Sequence, residues 1–142
     1  MSYQRIRKQM IAVMLIVLFL AGCGTSAPET SEIIANKAED IVGIWTTQFM
    51  GTEAYIQFNA DETFDLARTI DALESSKILS GTFWFEGTVF NMKDNLGIGT
   101  GTYEVRVQKE GDKSVKLSFT VIDDTDSDRV KDLTEEMARV EP

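Results

Sequence analysis

The stretch that decides the fold is GIWTTQFMGTEAYIQFNADETFDLARTI, running from Gly43 to Ile70. Its hydrophobic period is two. Ala54, Ile56 and Phe58 alternate with Tyr55 and Gln57, and Phe64, Leu66 and Ile70 alternate with Thr63, Asp65 and Thr69. Such alternation sends one set of side chains to each face of a pleated strand. The polar run Asn59 to Glu62 separates the two, so they read as a hairpin. Gly43–Phe49 precedes them as an opening strand.

Toward the C-terminus the same texture recurs at Ile78–Glu86, Thr88–Lys93, Thr102–Gln108 and Val115–Ile122, each rich in Phe, Tyr, Trp, Val and Thr. Those residues suit a half-buried pleated surface, and Gly111-Asp112 marks the last hairpin turn. The chain therefore reads as all-β with about seven short consecutive strands. A small up-and-down antiparallel barrel leaves no exposed edges; a two-sheet sandwich is the alternative. Helices flank the strands. Ile33, Ile34, Ala38, Ile41 and Val42 predict a short helix within 32–42. Val130, Leu133, Met137 and Val140 predict a C-terminal amphipathic helix, with Asp126, Ser127 or Asp128 as its cap.

Toward the N-terminus the texture changes. Arg5, Arg7 and Lys8 precede an apolar run from Met10 to Leu20, which exits through Leu20-Ala21-Gly22-Cys23. That order is a secretory signal peptide. Leu-Ala-Gly-Cys resembles the lipobox of bacterial lipoproteins, which implies cleavage before Cys23 and diacylglycerol on its thiol. The alternative is a single transmembrane anchor, but the run is about half the roughly 20 residues needed to span hydrocarbon. Two or more acyl chains hold stably in a bilayer. Gly24, rather than aspartate, follows the cysteine. By analogy this implies the outer membrane, facing the periplasm, in a two-membrane cell, or the outer face of the plasma membrane in a one-membrane cell. The expected layout is a signal peptide over 1–22, the lipidated cysteine and a flexible tether over 23–31, and one domain over 32–142.

Charge and composition narrow the function. Fourteen basic and 23 acidic residues give a net charge of −9; loss of Arg5, Arg7 and Lys8 with the signal leaves 11 basic residues and a charge of −12. Such a surface repels nucleic acid and anionic headgroups. Cys23 is the only cysteine, so no disulfide forms within the chain and the domain depends on its core. There is no histidine, which excludes Ser-His-Asp and Cys-His catalysis, imidazole metal ligands and a histidine pH switch.

Gly43-Ile44-Trp45 opening the first strand after a short helix resembles the Gly-x-Trp signature of the lipocalin (calycin) superfamily. Tyr55–Phe58 (YIQF), Asp61–Phe64 (DETF) and Gly101–Tyr103 (GTY) are similar to the strand pattern of small bacterial lipocalin-like lipoproteins. The resemblance implies a barrel and an arginine packed over Trp45, for which Arg129 is the matching position. It also implies a small apolar or amphipathic ligand held without chemistry.

Candidate binding residues follow from the alternation. Arg68 shares a face with Phe64, Leu66 and Ile70, so its guanidinium is a candidate partner for a ligand carboxylate or phosphate; the alternative is a strand-end arginine leaning into solvent. Tyr55, Thr82, Trp84 and Tyr103 are candidates to line the same pocket, or to serve as core. Asp124, Asp126, Asp128 and Glu135 match positions 1, 3, 5 and 12 of a calcium loop, but Arg129 stands where the sharp-turning glycine belongs. A solvated turn with a helix cap is the simpler reading, and no metal or cofactor is expected. Gly97-Ile98-Gly99-Thr100-Gly101 lacks the context of a phosphate loop. No two carboxylates, Glu53 and Glu86 included, are placed for hydrolysis, so the chain reads as a binder and not an enzyme. The second reading is an envelope protein-interaction module with a filled barrel, an inhibitor or assembly accessory, recognising its partner through loops such as Asp71–Lys77 or Lys93–Gly101.

Overall fold

Period-two alternation becomes strand in each of the seven predicted runs, although the third stops at Ala67, short of Ile70. The computed structural model describes residues 26–140. Cys23 and the signal segment lie outside the described residues. The strands are β1 (Thr30–Ile34), β2 (Gly43–Phe49), β3 (Thr52–Phe58), β4 (Thr63–Ala67), β5 (Leu79–Glu86), β6 (Val89–Asp94), β7 (Thr100–Glu110), β8 (Lys113–Asp123) and β9 (Met137–Ala138). A 3₁₀ turn spans Ala38–Asp40; α1 (Ala72–Ser75) and α2 (Ser127–Leu133) are short helices.

Strands β2 to β9 pair antiparallel in sequence order, and a bridge from Arg139 to Trp45 returns the chain to β2. The result is a nearly closed up-and-down barrel, as expected. β1 lies off this path, on the second half of β7, with Thr30 opposite Glu110 and Ile34 opposite Arg106.

Two helical expectations change. Residues 30–34 form a strand: Ile33 packs against the core while Ile34 is exposed, the alternation of a pleat. Beyond β6, the lower half of β7 presents unpaired backbone groups, and β1 satisfies them. Only Ala38–Asp40 is helical there, and the tether ends before Thr30. At the other terminus α2 stops at Leu133, where the Thr134 hydroxyl donates to Val130 O at 2.8 Å. Met137 then pairs with Leu117 and is fully buried. Closing the gap between β8 and β2 satisfies two open edges, which a longer helix would leave exposed.

The inward faces fill most of the barrel. Phe58 meets Phe83 at 5.3 Å and Phe90 at 6.0 Å between ring centroids; Phe119 meets Phe90 at 5.4 Å and Tyr103 at 6.0 Å. Edge-to-face pairs of this kind contribute beyond their buried area. Phe64 lies opposite Gly81, where a Cβ would overlap Lys93 O and stand 2.6 Å from the Phe64 ring, so only glycine fits. At one end Ile41 and Trp45 plug the barrel, with Trp45 Nε1 donating to Ile41 O at 2.8 Å. The N-terminal segment arrives at this end, where Gly111 N donates to Glu29 O. The opposite end is a mouth formed by α2, the Met50-Gly51 turn and the loop over 95–99.

Candidate functional site

The cavity sits where the aromatic packing stops. It is about 200 Å³ and opens at the mouth. Ile56, Phe64, Leu66, Leu79, Met92 and Leu133 form its walls, and Phe49, Met50, Leu96 and Ile98 its lip. Ligand cavities of several hundred cubic ångströms are usual. This one is smaller because Phe58, Phe83, Phe90, Phe119 and Tyr103 occupy the lower barrel. An apolar cavity of roughly 150 Å³ takes one benzene, so this one suits about six to eight non-hydrogen atoms. A shallower depression at the plugged end, lined by Glu39, Val42, Asp112 and Arg139 among others, is more open and more polar.

The lip carries exposed apolar side chains. Met50 is 73% exposed, Leu96 63% and Ile98 48%. Met50 also has a φ of +54° in a two-residue turn with Gly51. Asn-Gly is the usual choice for that turn, since a left-handed non-glycine residue costs about 1–2 kcal/mol. Strain and exposed apolar surface thus coincide at the rim of this apolar cavity.

Beneath the lip lies a buried polar cluster. Arg129 Nε and Nη2 donate to the two oxygens of Asp124, each at 2.7 Å, and Nη1 donates to Asp94 Oδ2 at 2.9 Å. Tyr103 donates its hydroxyl to Asp124 Oδ2, and Asp124 Oδ1 also accepts from Asp126 N at 2.8 Å. The side chains of Asp124, Asp94 and Arg129 are 0%, 3% and 7% exposed. Burial raises the Asp124 carboxyl, but the hydrogen bonds from Arg129 and Tyr103 outweigh it and hold the group below the usual carboxylate range. Burial, then the neighbouring Asp124 charge, push the Tyr103 phenol up; Asp124 in turn raises Arg129. All three groups keep their ordinary neutral-pH charge.

Most of the sequence-predicted pocket residues lie elsewhere. Arg68 follows the end of β4 and is exposed, so it does not enter the barrel. Its Nη1 donates to Phe49 O at 3.1 Å and Thr52 O at 3.2 Å, with its guanidinium 5.3 Å from the Phe49 ring centre. It fastens the hairpin that carries Met50. Tyr55, Thr82 and Trp84 occupy the outward positions of β3 and β5, because the buried positions are Ile56, Phe58 and Phe83. Tyr55 donates to Glu53 and Trp84 to Glu86 on that outer face. Tyr103 alone of the five points inward, and it belongs to the buried cluster.

The arginine over Trp45 is Arg139, not Arg129. Arg139 continues β9 beside β2, whereas Arg129, on α2, is turned into the cluster beneath the mouth. Gly43 admits it: the φ there is +143°, and a Cβ would stand 2.9 Å from Arg139 Nη2. The acidic run does not form a calcium loop. Asp124 is committed to Arg129, Asp126 caps α2 through Asp128 N and Arg129 N, and no three acidic groups converge as metal ligands among the described residues. Of the lip residues, Leu96 and Ile98 fall in the Lys93–Gly101 loop that the sequence offered as a partner surface, whereas Met50 escaped the sequence reading, although an apolar side chain at a turn position was the available signal.

Compared with known proteins, the chain matches no family model, no curated protein and no solved structure.

Proposed function

We propose that this chain is a lipid-anchored, lipocalin-like binding protein of the bacterial envelope, holding one small apolar or amphipathic molecule in the barrel mouth without catalysis. The observation that carries this reading is the coincidence of an apolar cavity of about 200 Å³ with the exposed, conformationally strained Met50 at its lip. The lipobox motif ending at Cys23 supports the anchor. The seven steps from Cys23 to Thr30 reach at most about 25 Å. The tether joins the barrel at its plugged end, so an anchor at Cys23 attaches on the side away from the mouth.

Two measurements test the reading. Palmitate labelling in the host should be lost in Cys23→Ser. For binding, amide spectra of the Cys23→Ser protein are followed during titration with 1-hexanol. Saturable shifts confined to residues such as Ile56, Leu79 and Met92 support a ligand site. Shifts that are absent, or scattered over the outer faces, sink it. The filled lower barrel and the exposed Leu96 and Ile98 favour a second reading, an envelope interaction module that docks a protein partner through the lip.

A further inference from the structure

We propose that the barrel mouth selects a cationic amphiphile, an ammonium group on a short alkyl or aryl body, over its neutral and anionic counterparts. The proposal rests on reading the mouth as a ligand site. Four acidic residues and one basic residue are among those lining the cavity: Asp94, Asp126, Asp128, Asp132 and Arg129. Arg129 is not free to receive an anion, because Asp124 takes its Nε and Nη2 and Asp94 its Nη1. Two carboxylates around one guanidinium leave the floor formally negative.

The rim adds to that sign. Asp126 is partly satisfied by the backbone N–H groups it caps, and among the described residues Asp132 accepts only from Met50 N, at 2.9 Å. The Asp128 carboxylate has no hydrogen bond or ion pair among the described residues. No lysine lines the cavity. Of the cations nearest this end, Arg68 holds backbone carbonyls, Lys77 pairs with Asp65, and Lys93 is exposed on β6 opposite Thr82. Lys131 borders a neighbouring depression that shares Gln48 and Asp132 with the mouth. Apolar walls next to a rim of one sign focus its field, so a head group seated there meets a stronger potential than on open surface. An ammonium is attracted to Asp128 and Asp132, and a carboxylate is repelled by them, while the one cation in the lining, Arg129, is already neutralised by Asp124 and Asp94.

The test uses three probes with one body and three charges: n-hexylammonium, 1-hexanol and hexanoate, titrated into the Cys23→Ser protein with amide shifts as readout. Hexylammonium should bind up to about fivefold tighter than hexanol at low salt, and hexanoate weakest. The ratio should collapse in the double variant Asp128→Asn with Asp132→Asn, and shrink as salt is raised. Both substitutions lie at the rim, and asparagine retains a carbonyl to accept from Met50 N, so a dispersed spectrum should persist. Hexanol or hexanoate binding as tightly as hexylammonium, or a ratio unmoved by the double variant, overturns the charge selection and leaves the ligand site standing. No saturable shift with any probe overturns both.

Discussion

The guanidinium carbon of Arg139 lies 5.3 Å from the centre of the Trp45 ring, over an indole whose Nε1 is bonded to Ile41 O. This contact joins the end of β9 to β2 and closes the barrel beside its plug. Gly43, two residues before the indole, leaves room for the guanidinium. Arg139→Ala should therefore cost about 0.5–2 kcal/mol, the range of a partly desolvated cation over an aromatic face. Gly43→Ala should cost about 1–3 kcal/mol, from its φ of +143° and the crowding of Arg139. Urea denaturation checks both, and the double variant should cost less than the sum, since each removes part of one contact.

The buried cluster predicts a graded series. Asp124→Asn leaves Arg129 with a broken buried pair and should cost about 3–5 kcal/mol. Tyr103→Phe removes one hydrogen bond to a carboxylate that keeps its other donors, and should cost about 1–3 kcal/mol. Gly101→Ala should match the larger loss, because a Cβ there overlaps Asp124 Oδ2 and stands 2.9 Å from Tyr103 Cε2. Equal effects for Asp124→Asn and Tyr103→Phe in chemical denaturation would contradict the assigned roles.

The same cluster sets two edges of pH dependence. The Asp124 carboxyl lies below its ordinary 3.8, so the folded state holds that proton less tightly than the unfolded chain. Its stabilising contribution is present above about pH 4 and lost as pH falls through the folded value. Asp65 acts in the same direction: burial raises it, but Lys77 and Ser80 lower it more. The Tyr103 phenol lies above its ordinary 10.0, so its contribution is present below that value and lost as pH rises through the folded one. The urea midpoint should fall on the acid side below about pH 4 and on the alkaline side above about pH 10. Tyr103→Phe should flatten the alkaline limb.

Met50 predicts a trade between stability and binding. Met50→Asn makes the turn Asn-Gly, matched to its left-handed backbone, and should raise stability by about 1 kcal/mol. It also removes an apolar lip residue, so affinity for 1-hexanol should fall. Thermal unfolding and amide-shift titration read the two effects independently.

Much of the fold was legible because strand formation is a local matter of side-chain alternation. Phe64 and Leu66 against Thr63 and Asp65 state which face is buried whatever the partner strand. The same rule, carried two residues too far, put Arg68 inside: β4 ends at Ala67, and the chain turns before the alternation reaches the arginine. Met137 and Val140 fit a helical stripe, yet the open edges of β2 and β8 drew that segment into the sheet. Local pattern cannot register a vacancy in a sheet formed by distant residues.

By itself, the sequence determined the all-β class, the seven principal strands and the motif order that ends at Cys23, since each is written in neighbouring residues. Only the tertiary structure decided which arginine covers Trp45, which of Tyr55, Trp84 and Tyr103 points inward, and where packing leaves a cavity. Those outcomes depend on register between segments from opposite ends of the chain and on how far five aromatic rings fill a closed volume. Both are properties of the assembled barrel, and no single strand carries them.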